Sequence, residues 1–157
     1  MELSISKHQR NIAAFIHAST FARYFFPFGN FILPLVLWVS NKKESDYIDH
    51  HGKQALNFQI SILLYSIVIG IFSVSSFFLF TNDFITSTNI FDHNVHTIDF
   101  DRLDHLFRFR RNWIPIGVGG LLGLGLTVLN IVCSIIATIR ASEGIRYRYP
   151  LTINFIK

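Results

Sequence analysis

The chain has 157 residues, half of them hydrophobic, and 17 are phenylalanine. This apolar content is too high for an ordinary soluble domain of that size, and the apolar residues are collected in long runs. A single cysteine, Cys133, excludes an internal disulfide and a cysteine-based metal site. The 14 Lys and Arg outnumber the 10 Asp and Glu but flank the apolar runs. We therefore predict membrane lipid, and no nucleic acid, as their partner.

Two short apolar segments open the chain. Residues 8–26 and 31–40 are predicted to be helical, with a break at Pro27-Phe28-Gly29-Asn30. Ten residues of helix reach only about 15 Å, half of a hydrocarbon core of about 30 Å. Residues 8–40 therefore form either a helical hairpin, which gives the chain four membrane segments, or a surface helix followed by one crossing from residue 24 to 40, which gives three.

The distribution of Lys and Arg favours four segments. In that arrangement the two termini and the loop 41–53 share one side, which then carries nine of the 14 Lys and Arg; with three segments the sides carry seven each. By the positive-inside rule we predict that loop 41–53 and both termini are cytoplasmic. The nine are Lys7, Arg10, Lys42, Lys43, Lys53, Arg140, Arg146, Arg148 and Lys157.

Residues 54–80 form the first long predicted span, which contains no formally charged residue. As a helix, 27 residues measure about 40 Å, enough to cross a bilayer with tilt. Polar side chains near its start lie on two faces at helical spacing, and amides that faced lipid would be costly. We therefore expect packing or functional roles here. The candidates are His51, Lys53, Gln54, Asn57 and Gln59.

Three motifs carry a family resemblance. They are His51-Gly52-Lys53-Gln54-Ala55-Leu56-Asn57-Phe58-Gln59, Pro34-Leu35-Val36-Leu37-Trp38 and Tyr147-Arg148-Tyr149-Pro150-Leu151. Together they resemble the Tic-twenty-like family, small bacterial membrane proteins of unknown function named after a chloroplast inner-envelope import component. The resemblance implies a multi-helix protein of the bacterial inner membrane, with a possible link to protein translocation, and implies no catalytic residue.

Residues 81–112 are polar and are predicted to form a loop with a short amphipathic helix near residues 100–107. Histidines and aspartates in this loop could ligate a divalent metal, although an irregular His-x-x-His is a weak signature. We predict solvated loop residues and no metal site. The residues concerned are Asp92, His93, His96, Asp99 and His105.

Residues 113–140 form the second long predicted span. Small or polar residues recur along it at steps of three and four, and the stripe includes a Gly-x-x-x-Gly pair that permits close helix contact. Its members are Gly119, Gly123, Thr127, Asn130 and Ser134. A helix stop is expected near Gly144. Residues 145–157 alternate polar and apolar side chains, which predicts an extended interfacial tail.

The sequence therefore predicts an all-α integral membrane protein, with residues 1–157 forming a single membrane domain. The usual nucleotide, hydrolase and zinc-protease signatures are missing, and the long spans have no central charge. We predict no cofactor and no enzymatic activity, but a scaffold or accessory subunit that packs against other membrane proteins or copies of itself.

Two alternatives stay open. A small channel or passive transporter would be lined by Gln54, Asn57, Ser61, Asn130 and Ser134. A membrane enzyme would use His50 or His51 as its acid-base group, with His17 and Asp49 nearby.

Overall fold

The computed structural model describes the backbone of residues 5–87 and 101–157, and the side chains of those residues except 80, 83–87 and 101–113. The regular secondary structure of this described part consists of helices only, with no strand. Its helices are α1 (Lys7–Ala18), a 3₁₀ helix (Ser19–Tyr24), α2 (Gly29–Asn41), α3 (Asp46–Ser87) and α4 (Asp101–Ser142).

The first predicted helix, residues 8–26, is divided in the structure. Ser6 and Gln9 form a capping box that starts α1: the Gln9 N–H donates to Ser6 Oγ, and the Ser6 N–H donates to Gln9 Oε1. After Ala18 the chain tightens into the 3₁₀ helix, where the hydroxyls of Ser19 and Thr20 donate to carbonyls three residues back. Such back-bonding competes with regular α-helix geometry, which explains the change of helix type.

The turn between the 3₁₀ helix and α2 lies at the predicted break. Phe28 has a left-handed backbone with φ of 61°, and α2 begins at the next residue. A Cβ placed on Gly29 would meet the Ala22 carbonyl, so glycine permits the close approach of α2 to the 3₁₀ helix.

The two long helices extend beyond the apolar runs that predicted them. By length and composition, Asp46–Leu79 and Ile114–Ser142 can each cross a membrane. Only 6% and 22% of their most apolar windows are buried in the protein, whereas the core helix of a soluble protein is mostly buried. Only these two described helices pass that test, since the apolar α2 has 13 residues, so four membrane segments are not shown.

The predicted loops are shorter than their polar sequences indicated. Residues 81–87 continue α3 and residues 101–112 begin α4, so both ends of the predicted loop 81–112 are helical. At the other end, α3 already starts at Asp46, inside the predicted loop 41–53. The physical reason is that polarity marks where a helix leaves the hydrocarbon core, not where its backbone hydrogen bonds end.

The chain divides into two compact units: unit 1 is Met1–Leu64 with Thr127–Lys157, and unit 2 is Tyr65–Leu126. The hydrophobic core of unit 1 joins residues from α1, α2 and the first turns of α3, namely Ile16, Trp38, Ile48, Ala55 and Leu56. A smaller cluster of Ala13, Tyr47 and Ala141 joins α1, α3 and the end of α4. The Tyr47 hydroxyl donates to the Ala141 carbonyl at 2.8 Å, which fixes the start of α3 beside the end of α4.

Candidate functional site

The polar face at the start of α3 binds the C-terminal segment, residues 145–157. Asn57 pairs with both backbone groups of Ile156: its Nδ2 donates to the carbonyl at 3.0 Å and its Oδ1 accepts the N–H at 2.9 Å. The same Oδ1 accepts the Phe155 N–H at 3.2 Å. One amide side chain thus supplies the hydrogen bonds that a neighbouring strand would otherwise provide.

Further contacts along this face follow the path of the segment. His50 Nε2 lies 3.2 Å from the Tyr147 carbonyl oxygen, Gln54 Oε1 accepts the Tyr149 N–H at 3.4 Å, and Ser61 Oγ accepts the Ile153 N–H at 2.9 Å. The segment turns at Leu151, whose φ is 56°, and still advances along α3 until Ile153 meets Ser61. It then reverses: the Phe155 N–H donates to the Ile153 carbonyl at 3.1 Å, and Ile156 meets Asn57. The extended tail predicted for residues 145–157 is therefore folded back on itself.

Gln59 lies on the other polar face of α3 and forms the middle of an amide chain. Its Oε1 accepts from Asn30 Nδ2 at 3.0 Å, and its Nε2 donates to Asn130 Oδ1 at 3.0 Å. Gln59 and Asn130 are 1% and 5% exposed. These three linked amides join the N-terminus of α2 to α3 and α4. Each amide that would be costly to bury alone thereby gains a hydrogen-bond partner.

Three buried aromatic side chains form a hydrogen-bonded line, the His51–His17–Tyr149 line, with His17 in the middle. His17 Nε2 lies 2.8 Å from His51 Nδ1, and the Tyr149 hydroxyl lies 2.8 Å from His17 Nδ1. Tyr149 also stacks on Phe58 with a centroid distance of 4.1 Å. Because both histidines are 0% exposed and Tyr149 is 6% exposed, the line joins α1, α3 and the C-terminal segment inside unit 1.

Protonation within this line is restricted. The contact between His17 Nε2 and His51 Nδ1 holds only one proton, since two N–H groups cannot face each other at 2.8 Å. Burial lowers the pKa of His17 well below the ordinary value of 6.5, and positive charge on His51 or His50 lowers it further. Burial likewise raises the pKa of Tyr149 above its usual value. The line therefore stays neutral and stabilises the fold near pH 7.

Lys53 is held at the polar start of α3. Its Nζ lies 2.6 Å from Asp49 Oδ2, and the other oxygen of Asp49 accepts from Trp38 Nε1 at 2.9 Å. The Trp38 ring packs where a Cβ on Gly52 would lie, so glycine is needed for α2 to reach α3 here. The contacts of Trp38 with Asp49 and Gly52 fix the register of α2 along α3.

The two candidate glycines in unit 2 have different surroundings. A Cβ on Gly119 would meet Ser73 Oγ, whereas a Cβ on Gly123 would have no neighbour within 4 Å. The Ser73 side chain thus lies directly against the helix backbone at Gly119.

Sequence patterns picked out several of the polar side chains on α3, but they did not identify the residues to which these side chains bind. Asn30, Tyr149 and Ile156 were not candidates, because Asn30 follows a turn and the other two lie in a segment without helical spacing. The available signal was the turn-forming Pro150-Leu151 pair, which argues against a single extended strand.

No group of three or more His, Cys, Asp or Glu side chains that could hold a metal occurs among the described residues. The loop candidates Asp92, His93, His96 and Asp99 lie outside the described residues, as does the side chain of His105.

Two long, exposed apolar helices and a polar, hydrogen-bonded unit that includes one end of each indicate a helical membrane protein. A family model matches residues 8–156, and the chain belongs to that family, the magnetosome magnetite crystal formation protein family (MamF/MmsF). No curated protein and no solved structure matches the chain significantly.

The family match corrects the Tic-twenty-like resemblance, which is wrong. Basic residues and a Trp at the end of an apolar segment are general features of membrane helices. The short motifs did not discriminate between families. A role in protein translocation, which rested on that resemblance, has no support.

Proposed function

We propose that this chain serves magnetite crystal formation as a non-enzymatic scaffold of the magnetosome membrane. Its long apolar helices hold it in the lipid, and unit 1 presents a fixed surface to other membrane proteins or to copies of itself. Support comes from the family, whose description names magnetite crystal formation, and from the two candidate spans. Loop 41–53 and both termini are proposed to be cytoplasmic, on the charge distribution.

The observation that carries the proposal is that the candidate polar side chains are used internally. Asn57, Ser61 and Gln59 are at most 1% exposed, and each hydrogen-bonds another part of unit 1. A pore requires polar groups that face water along a continuous path. Among the side chains proposed to line a channel, Asn57 and Ser61 instead bind the C-terminal segment, and Asn130 binds Gln59.

The same argument applies to catalysis. His51 is 0% exposed and its Nδ1 is in contact with His17, and neither side chain lines the described cavities of unit 1. A general acid or base must come within hydrogen-bond reach of its substrate. We therefore assign these histidines to stabilisation of the fold.

Flux through the purified protein in liposomes tests the scaffold against the channel. We expect ion and proton flux no higher than in empty vesicles, for the wild type and for Asn57→Leu alike. Asn82→Leu is the matched control, because Asn82 is exposed on the same helix. A reproducible conductance that Asn57→Leu abolishes and Asn82→Leu leaves intact would support the channel instead.

A further inference from the structure

Two hydrogen bonds fix how far the N-terminal hairpin (Lys7–Asn41) extends along α3. Near the end of α2, Trp38 Nε1 donates to Asp49 Oδ1, and near its start Asn30 Nδ2 donates to Gln59 Oε1. Trp38 and Asn30 are eight positions apart, about 12 Å of helix, and Asp49 and Gln59 are ten apart, about 15 Å. The two helices therefore run side by side in opposite directions, and the turn of the hairpin lies level with Gln59.

The level of Gln59 is shallow in a membrane. Gln59 follows Lys53, the last charged residue before the apolar run, by six positions or about 9 Å of helix. Its partner Asn130 precedes Arg140 by ten positions, about 15 Å. Half of a hydrocarbon core is about 15 Å. A hairpin that begins beside the start of α3 and turns at this level cannot reach the opposite face.

The turn carries the side chains expected of a surface inside lipid. Phe25 and Phe28 are 87% and 68% exposed, and Tyr24 is 58% exposed. At the opposite end of α2, Lys42 Nζ lies 5.0 Å from the centre of the Trp38 ring, an arrangement suited to the headgroup layer. Apolar side chains on the outward face of α2 connect the two levels, among them Ile32, Leu35, Val36 and Val39.

We infer that residues 7–41 form a re-entrant hairpin that enters one leaflet, turns among the acyl chains and leaves by the same face. The surface of the hairpin contacts the acyl region of that leaflet. Of the two arrangements considered from the sequence, the inference keeps the helical hairpin, but the hairpin does not reach the opposite face of the membrane. The inference rests on the membrane setting of the proposed function and goes beyond it, because it assigns the hairpin's topology and lipid-facing surface.

Arg23 is the one described charged residue near the turn. Its guanidinium lies 5.8 Å from the centre of the Tyr24 ring, and the residue lines a groove with Thr20, Asn130 and Ser134. Hydroxyl and amide neighbours reduce the cost of a cation at this depth, and a long side chain can reach toward the headgroups. The position of Arg23 is therefore compatible with the hairpin.

Spin labels in proteoliposomes test this topology. In a Cys133→Ser background, single cysteines for labelling replace Phe25 or Phe28 at the turn, Lys43 at the base of the hairpin and Phe72 on α3. Each label is exposed to two reagents: oxygen, which partitions into lipid, and a nickel chelate, which stays in water. At Phe25→Cys and Phe28→Cys we expect high oxygen and low nickel accessibility, at a depth of about 9 to 15 Å below the charged level. At Lys43→Cys we expect nickel accessibility.

The outcomes distinguish failure of the re-entrant hairpin from failure of the membrane location itself. Phe72 is 71% exposed, so Phe72→Cys reports whether α3 lies in lipid at all. Nickel accessibility at Phe72→Cys would overturn the membrane setting and the hairpin with it. Lipid exposure at Phe72→Cys together with nickel accessibility at both turn positions would overturn the hairpin alone, as would low accessibility of both turn positions to either reagent, which would mean that protein covers the turn.

Discussion

At the scale of single residues, the fold depends on buried polar side chains whose hydrogen bonds are local to unit 1. His17 is the clearest case, because it is fully buried between His51 and the Tyr149 hydroxyl. A neutral imidazole satisfies both contacts, whereas a proton on each histidine would oppose two N–H groups. Acid is therefore expected to weaken this site.

The lowered pKa of His17 predicts how stability depends on pH. In the unfolded chain His17 gains its proton near pH 6.5, whereas burial keeps it neutral to lower pH in the folded protein. The stabilisation is fully present above pH 6.5 and is lost as pH falls below it, by about 1.4 kcal/mol per unit until the folded pKa is reached. Melting temperatures in detergent from pH 8 to pH 5 measure this loss.

His17→Gln should flatten that pH profile, because it removes the buried imidazole whose pKa is lowered. An identical profile for His17→Gln and the wild type would contradict the assignment. The profile separates titration from a general loss of packing, which would shift all melting temperatures equally.

Asn57 gives a second prediction at this scale. Asn57→Leu removes the partner of the Phe155 and Ile156 N–H groups and of the Ile156 carbonyl. Leaving buried backbone groups unpaired should lower the free energy of unfolding by about 1 to 3 kcal/mol. It should also expose the C-terminal segment to protease. Asn82→Leu should do neither, and equal effects of the two variants would show that the segment is not held by Asn57.

At the scale of helices, two glycines on α3 have different surroundings, and only one of them lies at a close contact with α2. A Cβ on Gly52 would overlap the Trp38 ring, while a Cβ on Gly70 would have no neighbour within 4 Å. Gly52→Ala should therefore destabilise the protein by about 1 to 3 kcal/mol through overpacking. Gly70→Ala should stabilise α3 by about 0.5 to 1 kcal/mol, since alanine favours helix. Thermal unfolding of both variants in detergent checks the opposite signs.

The two long helices and the polar faces of α3 could be predicted from the sequence, because both depend on neighbours within a few positions. The spacing of Gln54, Asn57 and Ser61 marks one face without knowledge of its partner. The partner lies more than 90 positions away in a segment that turns at Leu151, and no local pattern encodes that contact. Helix ends were also missed, since polar residues continue α3 and α4 beyond their apolar runs.

At the scale of the whole molecule, the length of the apolar runs was enough to predict a membrane protein. A proposal for its topology needed contacts between residues that are distant in the sequence. Charge counting compared three membrane segments with four and carries no information on how deep a segment reaches. The depth proposed for the hairpin rests on the contacts of Asn30 and Trp38 with α3, which no local sequence pattern encodes. The family, in turn, came from the match over residues 8–156 and not from the short motifs.

The most direct measurement of the central claim is the size and number of magnetite crystals, seen by electron microscopy, in a magnetite-forming bacterium whose gene for this chain is deleted. We predict that deletion alters the crystals, that wild type and Asn82→Leu restore them, and that Asn57→Leu restores them only in part, in proportion to the folded protein left in the membrane. Unchanged crystals on deletion, or full restoration by Asn57→Leu with the C-terminal segment released, would contradict a scaffold that works through its folded unit 1.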